Sequence, residues 1–203
     1  MPIPIAVSGL SQVVPELPPG TLVLLEGDVD PVKTIFAIKL GYSAAENGRS
    51  PVYVSSRHPG DVEQDIARFA PEQVFSVVDG MPQQWGEHIA GDSFLVIDSF
   101  SYLVHHVQIS EYRGIVEDIY RRCKQCNGTA ALLIDTGMLE RQAELLIEHL
   151  ADAIIRFRSR ETSEGKNRYM EIPKWVNGQT FDRNIYYTLD DIVINVDLRS
   201  RLV

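Results

Sequence analysis

Short, almost wholly apolar runs alternate along this chain with stretches whose apolar residues recur every three or four positions. Residues 21–26 (TLVLLE) form the first run, closed by Gly27. A run with so little polar alternation predicts a strand covered on both faces, as in a parallel α/β sheet. Over residues 33–47, Ile35, Phe36, Ile38, Leu40, Ala44 and Ala45 follow a helical pattern that Asn47-Gly48 terminates, glycine being suited to the position after a helix cap. The alternation continues with a strand over 51–56 (PVYVSS), a helix over 59–70 and a strand over 74–78. Residues 80–90 read as a short helix or a loop. Then come a strand over 93–98 (SFLVID), a helix over 111–125, a strand over 130–135 (AALLID) and a helix over 139–150 with Leu139, Ala143, Leu146 and Leu150 on one side.

The last quarter has a different texture. Residues 151–158, 168–175 and 185–196 have strand composition, with turns expected at Glu164-Gly165 and Asn177-Gly178, which predicts antiparallel strands added to the sheet. Residues 1–19 hold five of the eleven prolines and no clear period. They read as an extended leader laid over the surface of a single domain spanning 20–203. Alternating strands and helices followed by a β-rich tail define the class as α/β, with a mainly parallel central sheet, flanking helices and an antiparallel β-rich C-terminal extension.

Composition adds little beyond exclusions. At 203 residues, 44% apolar and 23% charged, the chain suits one well-buried domain. No run approaches the roughly 18 apolar residues of a membrane span, and MPIPIAVSGL lacks the basic start and long apolar core of a signal peptide; a cytoplasmic location is expected. The net charge of -9 disfavours nucleic-acid binding, which depends on neutralising phosphates. Two local basic groups, Arg121/Arg122/Lys124 and Arg156/Arg158/Arg160, read as a solvated helix end and a solvated strand face. Cys123 and Cys126 fall at a helix C-terminus, where the dipole opposes a thiolate, and read as two reduced thiols. His105-His106 have no further ligand spaced for a metal, and none is expected. Ser99 and Ser101 lack a histidine at triad-like spacing. Trp85, Trp175, Tyr186 and Tyr187 read as core or interface aromatics.

The chemistry concentrates in PGTLVLLEGDVDPVKT, residues 19–34. Gly27 ends a strand, and Lys33-Thr34 open a helix, where backbone amides and the dipole favour an anion. Asp98 ends a later apolar strand, the place from which a carboxylate helps to hold Mg²⁺ in a P-loop ATPase. Gly27, Lys33, Thr34 and Asp98 are therefore the candidate nucleotide-site residues. The segments LPPGTLVLLEGD, VYVSS, FLVIDSFS, AALLIDTG, LADAIIRFRSRE and KWVNG extend that pattern over the whole chain. It resembles the RecA superfamily of P-loop NTPase folds, most closely KaiC-like domains.

That resemblance implies ATP and Mg²⁺ as cofactors, assembly into rings or filaments, and nucleotide held between neighbouring subunits. The family's loop reads G-D-x-G-x-G-K-T. Here Asp30 and Val32 stand at two of its glycines, and Pro31 removes an amide donor. Arg57 and His58 occupy the positions of two acidic residues, one of which activates water in the family; a guanidinium cannot accept that proton. The family's K-x-R segment becomes Lys174-Trp175-Val176, without its arginine. These departures lead to three expectations. The first is a degenerate, non-hydrolysing domain with no catalytic residues, used as an assembly or regulatory module as a homo-oligomer or with RecA-like relatives. The second is a weak ATP-binding protein or ATPase using Lys33, Thr34 and Asp98. The third is a recombination or repair paralogue touching DNA through Arg121, Arg122 and Lys124.

Overall fold

The computed structural model describes residues 1–69, 74–79, 82–163, 165–191 and 193–197. The expected helix end at Ala70, the start of the 80–90 segment and Glu164 of the predicted turn lie outside the described residues. The strands are β1 (Leu22–Gly27), β2 (Ser50–Ser55), β3 (Ser76–Val78), β4 (Ser93–Asp98), β5 (Thr129–Asp135), β6 (Ala153–Thr162), β7 (Gly165–Lys174), β8 (Phe181–Asp190) and β9 (Val193–Val196). The helices are α1 (Val32–Glu46), α2 (Pro59–Phe69), α3 (Phe100–Val104), α4 (Ile109–Cys126) and α5 (Arg141–Leu150).

The strands form one nine-stranded sheet in the order β3-β2-β4-β5-β1-β6-β7-β8-β9. Pairing is parallel from β3 through β6 and antiparallel from β6 to β9. The α/β expectation therefore holds, extension included. The predicted strand over 185–196 differs: Asp191, at φ 53°, turns the chain between β8 and β9. Residues 80–90 contain a 3-10 segment, Pro82–His88. The short α3 was not legible, because five residues carry too little periodicity to declare a helix.

Each face of the sheet has its own core. One contains Leu22, Leu24, Leu95, Ile97, Leu132 and Ile134 under α3, α4 and α5, with Trp85 beneath. The other contains Val23, Leu25, Val96 and Leu133 under α1 and α2 and continues below the antiparallel extension to Met170, Trp175 and Ile194. Gly27 and Gly41 are among the glycines that permit close approaches. A Cβ at Gly27 would stand 2.8 Å from the Phe157 carbonyl oxygen on β6, and one at Gly41 would collide with the Phe75 ring at 2.3 Å.

Residues 1–19 are more than a surface leader. Ile3, Ile5, Val7, Leu10, Val14 and Leu17 are all at most 2% exposed and belong to the core over α1. An antiparallel bridge pairs Ile3 with Leu17, and Ser43 Oγ on α1 donates to the Pro4 carbonyl at 2.8 Å. This explains why α1 is apolar on nearly all sides: it lies between the sheet and this segment, and a helix buried all round needs no polar face.

Candidate functional site

The parallel strands present their carboxyl ends on one edge, the position where open α/β sheets bind ligands. Gly27 at the end of β1 pairs in register with Asp135 at the end of β5, and Ser55 on β2 with Asp98 on β4. Because β5 lies between β1 and β4, Asp135 stands between the loop after β1 and the Asp98 carboxylate. A cleft of about 540 Å³ opens there, bordered by the loop, by Arg57, Asp65 and Arg68 near α2, and by Asp98, Asp135 and Asp191.

All four candidate residues come together at this edge. Thr34 Oγ1 donates to Asp98 Oδ2 at 2.7 Å, and the Tyr53 hydroxyl donates to the same oxygen. Lys33 is 3% exposed. Its ammonium donates to the Gly27 carbonyl at 3.1 Å and to the Asp28 carbonyl, and forms an ion pair with Asp135 Oδ1 at 3.0 Å. Ser99 Oγ completes the cluster by donating to Asp135 Oδ2 at 2.6 Å, while Ser101 Oγ accepts from the Asp135 amide at 3.0 Å.

Sequence reasoning did not single out Asp135, Tyr53 or the supporting role of Ser99. A signal existed for the first: AALLID ends in an aspartate as SFLVID does, and two parallel strands of the same composition end at the same edge. Nothing local marks Tyr53, whose place depends on β2 lying beside β4.

The loop itself has an unexpected shape. No residue from Gly27 to Thr34 has positive φ, so the alternation of right- and left-handed residues that builds an anion-binding nest is not formed. Pro31 is right-handed helical at φ -63°, ψ -12°, and the Ile35 amide bonds to its carbonyl at 3.0 Å. The helix thus begins at once, and Val32, 1% exposed, packs into the core. The Asp30 carboxylate, at one of the positions where the resembled family has glycine, is not left free beside the loop. Instead Oδ1 accepts from the Val32 amide at 3.0 Å, and Oδ2 lies 3.7 Å from Lys166 Nζ and 4.0 Å from Arg168 Nη2 on β7.

The other positions singled out are similarly engaged. Arg57, just before α2, forms an exposed pair at 2.7 Å with Asp65 in the middle of that helix, and His58 Nδ1 accepts from the Gly60 amide at 3.2 Å. Lys174 donates to the Glu148 and His149 carbonyls at 3.3 and 3.0 Å, serving the C-terminus of α5. Arg156 and Arg158 are not a simple solvated face: both pair with Glu26, and Arg156 also with Glu148. Arg121 and Arg122 pair with Asp118, and Lys124 with Asp152. Cys123 is buried and Cys126 exposed, both reduced; burial pushes the Cys123 thiol up to about 12. Among the described residues, no group of His, Cys, Asp and Glu is arranged for a metal, and no helix is long and apolar enough to cross a membrane.

Burial is the main cause that raises the Asp98 carboxyl above its ordinary range, and the Asp135 charge adds to it; the hydrogen bonds from Tyr53 and Thr34, and the Lys33 charge, act against it. A raised carboxyl binds its proton more tightly in the folded state. Its stabilising contribution is therefore complete below the unfolded carboxylate range and is lost as pH rises through the folded value. Asp98→Asn keeps an oxygen for both donors and removes the charge. It is expected to melt higher than wild type at pH 7, with the difference shrinking towards pH 4. A difference that stays constant with pH, or a less stable variant at neutral pH, would contradict this electrostatic account.

A model of a family of unknown function, DUF7125, matches residues 17–202. The chain belongs to that family. No curated protein matches the chain. Among solved structures it is similar to the KaiC-like protein PH0186 from the hyperthermophilic archaeon Pyrococcus horikoshii OT3, with a TM-score of 0.79, 21% identity, and coverage of 97% of this chain and 99% of that one. At that identity the likeness speaks for the fold. This DUF7125 member has a KaiC-like RecA fold, with Lys33 and Thr34 opening the helix after β1 and Asp98 at the tip of β4.

Proposed function

We propose that this domain does not hydrolyse ATP and serves in the cytoplasm as a non-catalytic assembly or regulatory module, pairing with copies of itself or with RecA-like relatives. The observation that carries this reading is the state of Lys33. Its ammonium is buried and satisfied by two loop carbonyls and by Asp135, so a phosphate would have to displace an ion pair to reach it. The surrounding chemistry agrees. The loop makes no nest, Pro31 offers no amide, and Asp30 takes the Val32 amide. A triphosphate does not fit these residues as they stand. Arg57, where the resemblance expects an acidic residue, is tied to Asp65 and cannot act as a base near neutral pH.

The purified protein with ATP and Mg²⁺ is expected to release phosphate no faster than a Thr34→Ala variant. Turnover clearly above that control would overturn the reading.

The 2.7 Å bond between Thr34 and Asp98 favours a second reading, a weak nucleotide sensor. In it these two side chains would lie beside Mg²⁺ and Lys33 would turn to the phosphates. Calorimetry with ATP, ADP and their Mg²⁺ complexes at millimolar concentration separates the two: absence of binding heat removes the sensor.

A further inference from the structure

We propose that Asp30 is a built-in anion, a side chain that fills the anion position at the start of α1 and keeps phosphate-class ligands out. The proposal rests on the reading above and names the residue that closes the site.

Three observations meet at this carboxylate. The first is its position at the helix end. The first intrahelical bond runs from Ile35 to Pro31, so the amides of Val32, Lys33 and Thr34 belong to the helix's unpaired first turn, where an anion is favoured. Asp30 Oδ1 takes the Val32 amide at 3.0 Å. The second is a clasp from outside the loop. Lys166 and Arg168 approach Oδ2 from β7 at 3.7 and 4.0 Å, although β7 is 136 residues further along the chain at Lys166. Cations that would otherwise attract a ligand's charge are held by the protein's own carboxylate. The third is backbone shape: no residue from Gly27 to Thr34 has positive φ, and an aspartate at position 30 enters the left-handed region less readily than a glycine.

An external phosphate must therefore displace a tethered carboxylate whose effective concentration is far higher than that of a free ion, and must do so against like charge. Removing the side chain frees the Val32 amide, releases Lys166 and Arg168, and lets the backbone at position 30 take positive φ. The device is thus an autoinhibitory contact that sets the affinity of this helix end for anions.

Inorganic pyrophosphate is the probe, titrated calorimetrically into the full-length chain. Asp30→Gly is expected to bind it at least tenfold more tightly than wild type, and Asp30→Asn, which retains an oxygen for the Val32 amide but not the charge, to fall between them. Lys166→Ala combined with Asp30→Gly should lose part of the gain. A folded Asp30→Gly protein with wild-type affinity for pyrophosphate overturns the proposal. If that variant does not give a cooperative melt, Asp30→Asn is decided by the same criterion, an affinity equal to wild type overturning the proposal. ATP turnover by the wild type would defeat the preceding reading and this one together. An inert wild type with no gain in Asp30→Gly defeats this one alone.

Discussion

Deleting residues 1–14 is expected to abolish cooperative folding. Ile3, Ile5, Val7, Leu10 and Val14 are each buried to 2% exposure or less, and burial of such side chains contributes about 1.5–3 kcal/mol apiece. Their combined loss is on the order of 7–15 kcal/mol, comparable to the whole stability of a typical domain, about 5–15 kcal/mol. The deletion also uncovers part of α1, whose Phe36, Leu40 and Ala44 belong to the same core as these residues. Expression of residues 15–203 should give insoluble protein or a chain with no sigmoidal thermal transition by circular dichroism. A truncated chain melting within a few degrees of the full one would show that the segment only rests on the domain. The family match begins at residue 17, so the segment tested lies outside the matched region yet inside the core.

Lys33→Ala is expected to destabilise the protein without any nucleotide present. Removing one partner of a buried ion pair costs about 3–5 kcal/mol, because the remaining charge is left uncompensated. Here the orphan would be Asp135, 16% exposed, while the Gly27 carbonyl loses one of its two donors and keeps the Thr136 amide. For a chain of this size, that corresponds to a fall in melting temperature on the order of 10 °C. Adding Asp135→Asn to Lys33→Ala should recover much of the loss, since the uncompensated charge disappears while the single amide oxygen can still accept from Ser99. The pair is measured as a double-mutant cycle by thermal or urea melts. If Lys33→Ala melts with wild type, the lysine is not a structural cation and the reading of the loop as self-satisfied falls with it.

The legible part of the fold and the illegible part follow from the range of the interactions. Buried parallel strands are nearly uniform in apolar character, so TLVLLE, SFLVID and AALLID announced β1, β4 and β5 and their common direction. The single long strand expected over 185–196 became two because Asp191 adopts a left-handed turn, which an aspartate permits but does not require. The N-terminal segment was misjudged as a surface leader because its prolines mask the alternation of Ile3, Ile5 and Val7. The clue was on α1, apolar on too many sides for a helix with one face in water.

The candidate site divides in the same way. A strand, a loop and a helix opening on Lys33-Thr34 are local in sequence, and so is a strand ending at Asp98; chain chemistry alone marked the edge of the sheet where they meet. Which partner each charged group takes is not local. Asp135 reaches Lys33 because β5 lies between β1 and β4, and Lys166 and Arg168 reach Asp30 because the antiparallel extension returns beside the loop. Hydrophobic periodicity encodes which face of an element is buried, but carries no information on which strand lies beside which. Within the loop, the Asp30 bond to the Val32 amide and the Lys33 bonds to the Gly27 and Asp28 carbonyls are local; only the tertiary order added Asp135 to Lys33 and two cations to Asp30.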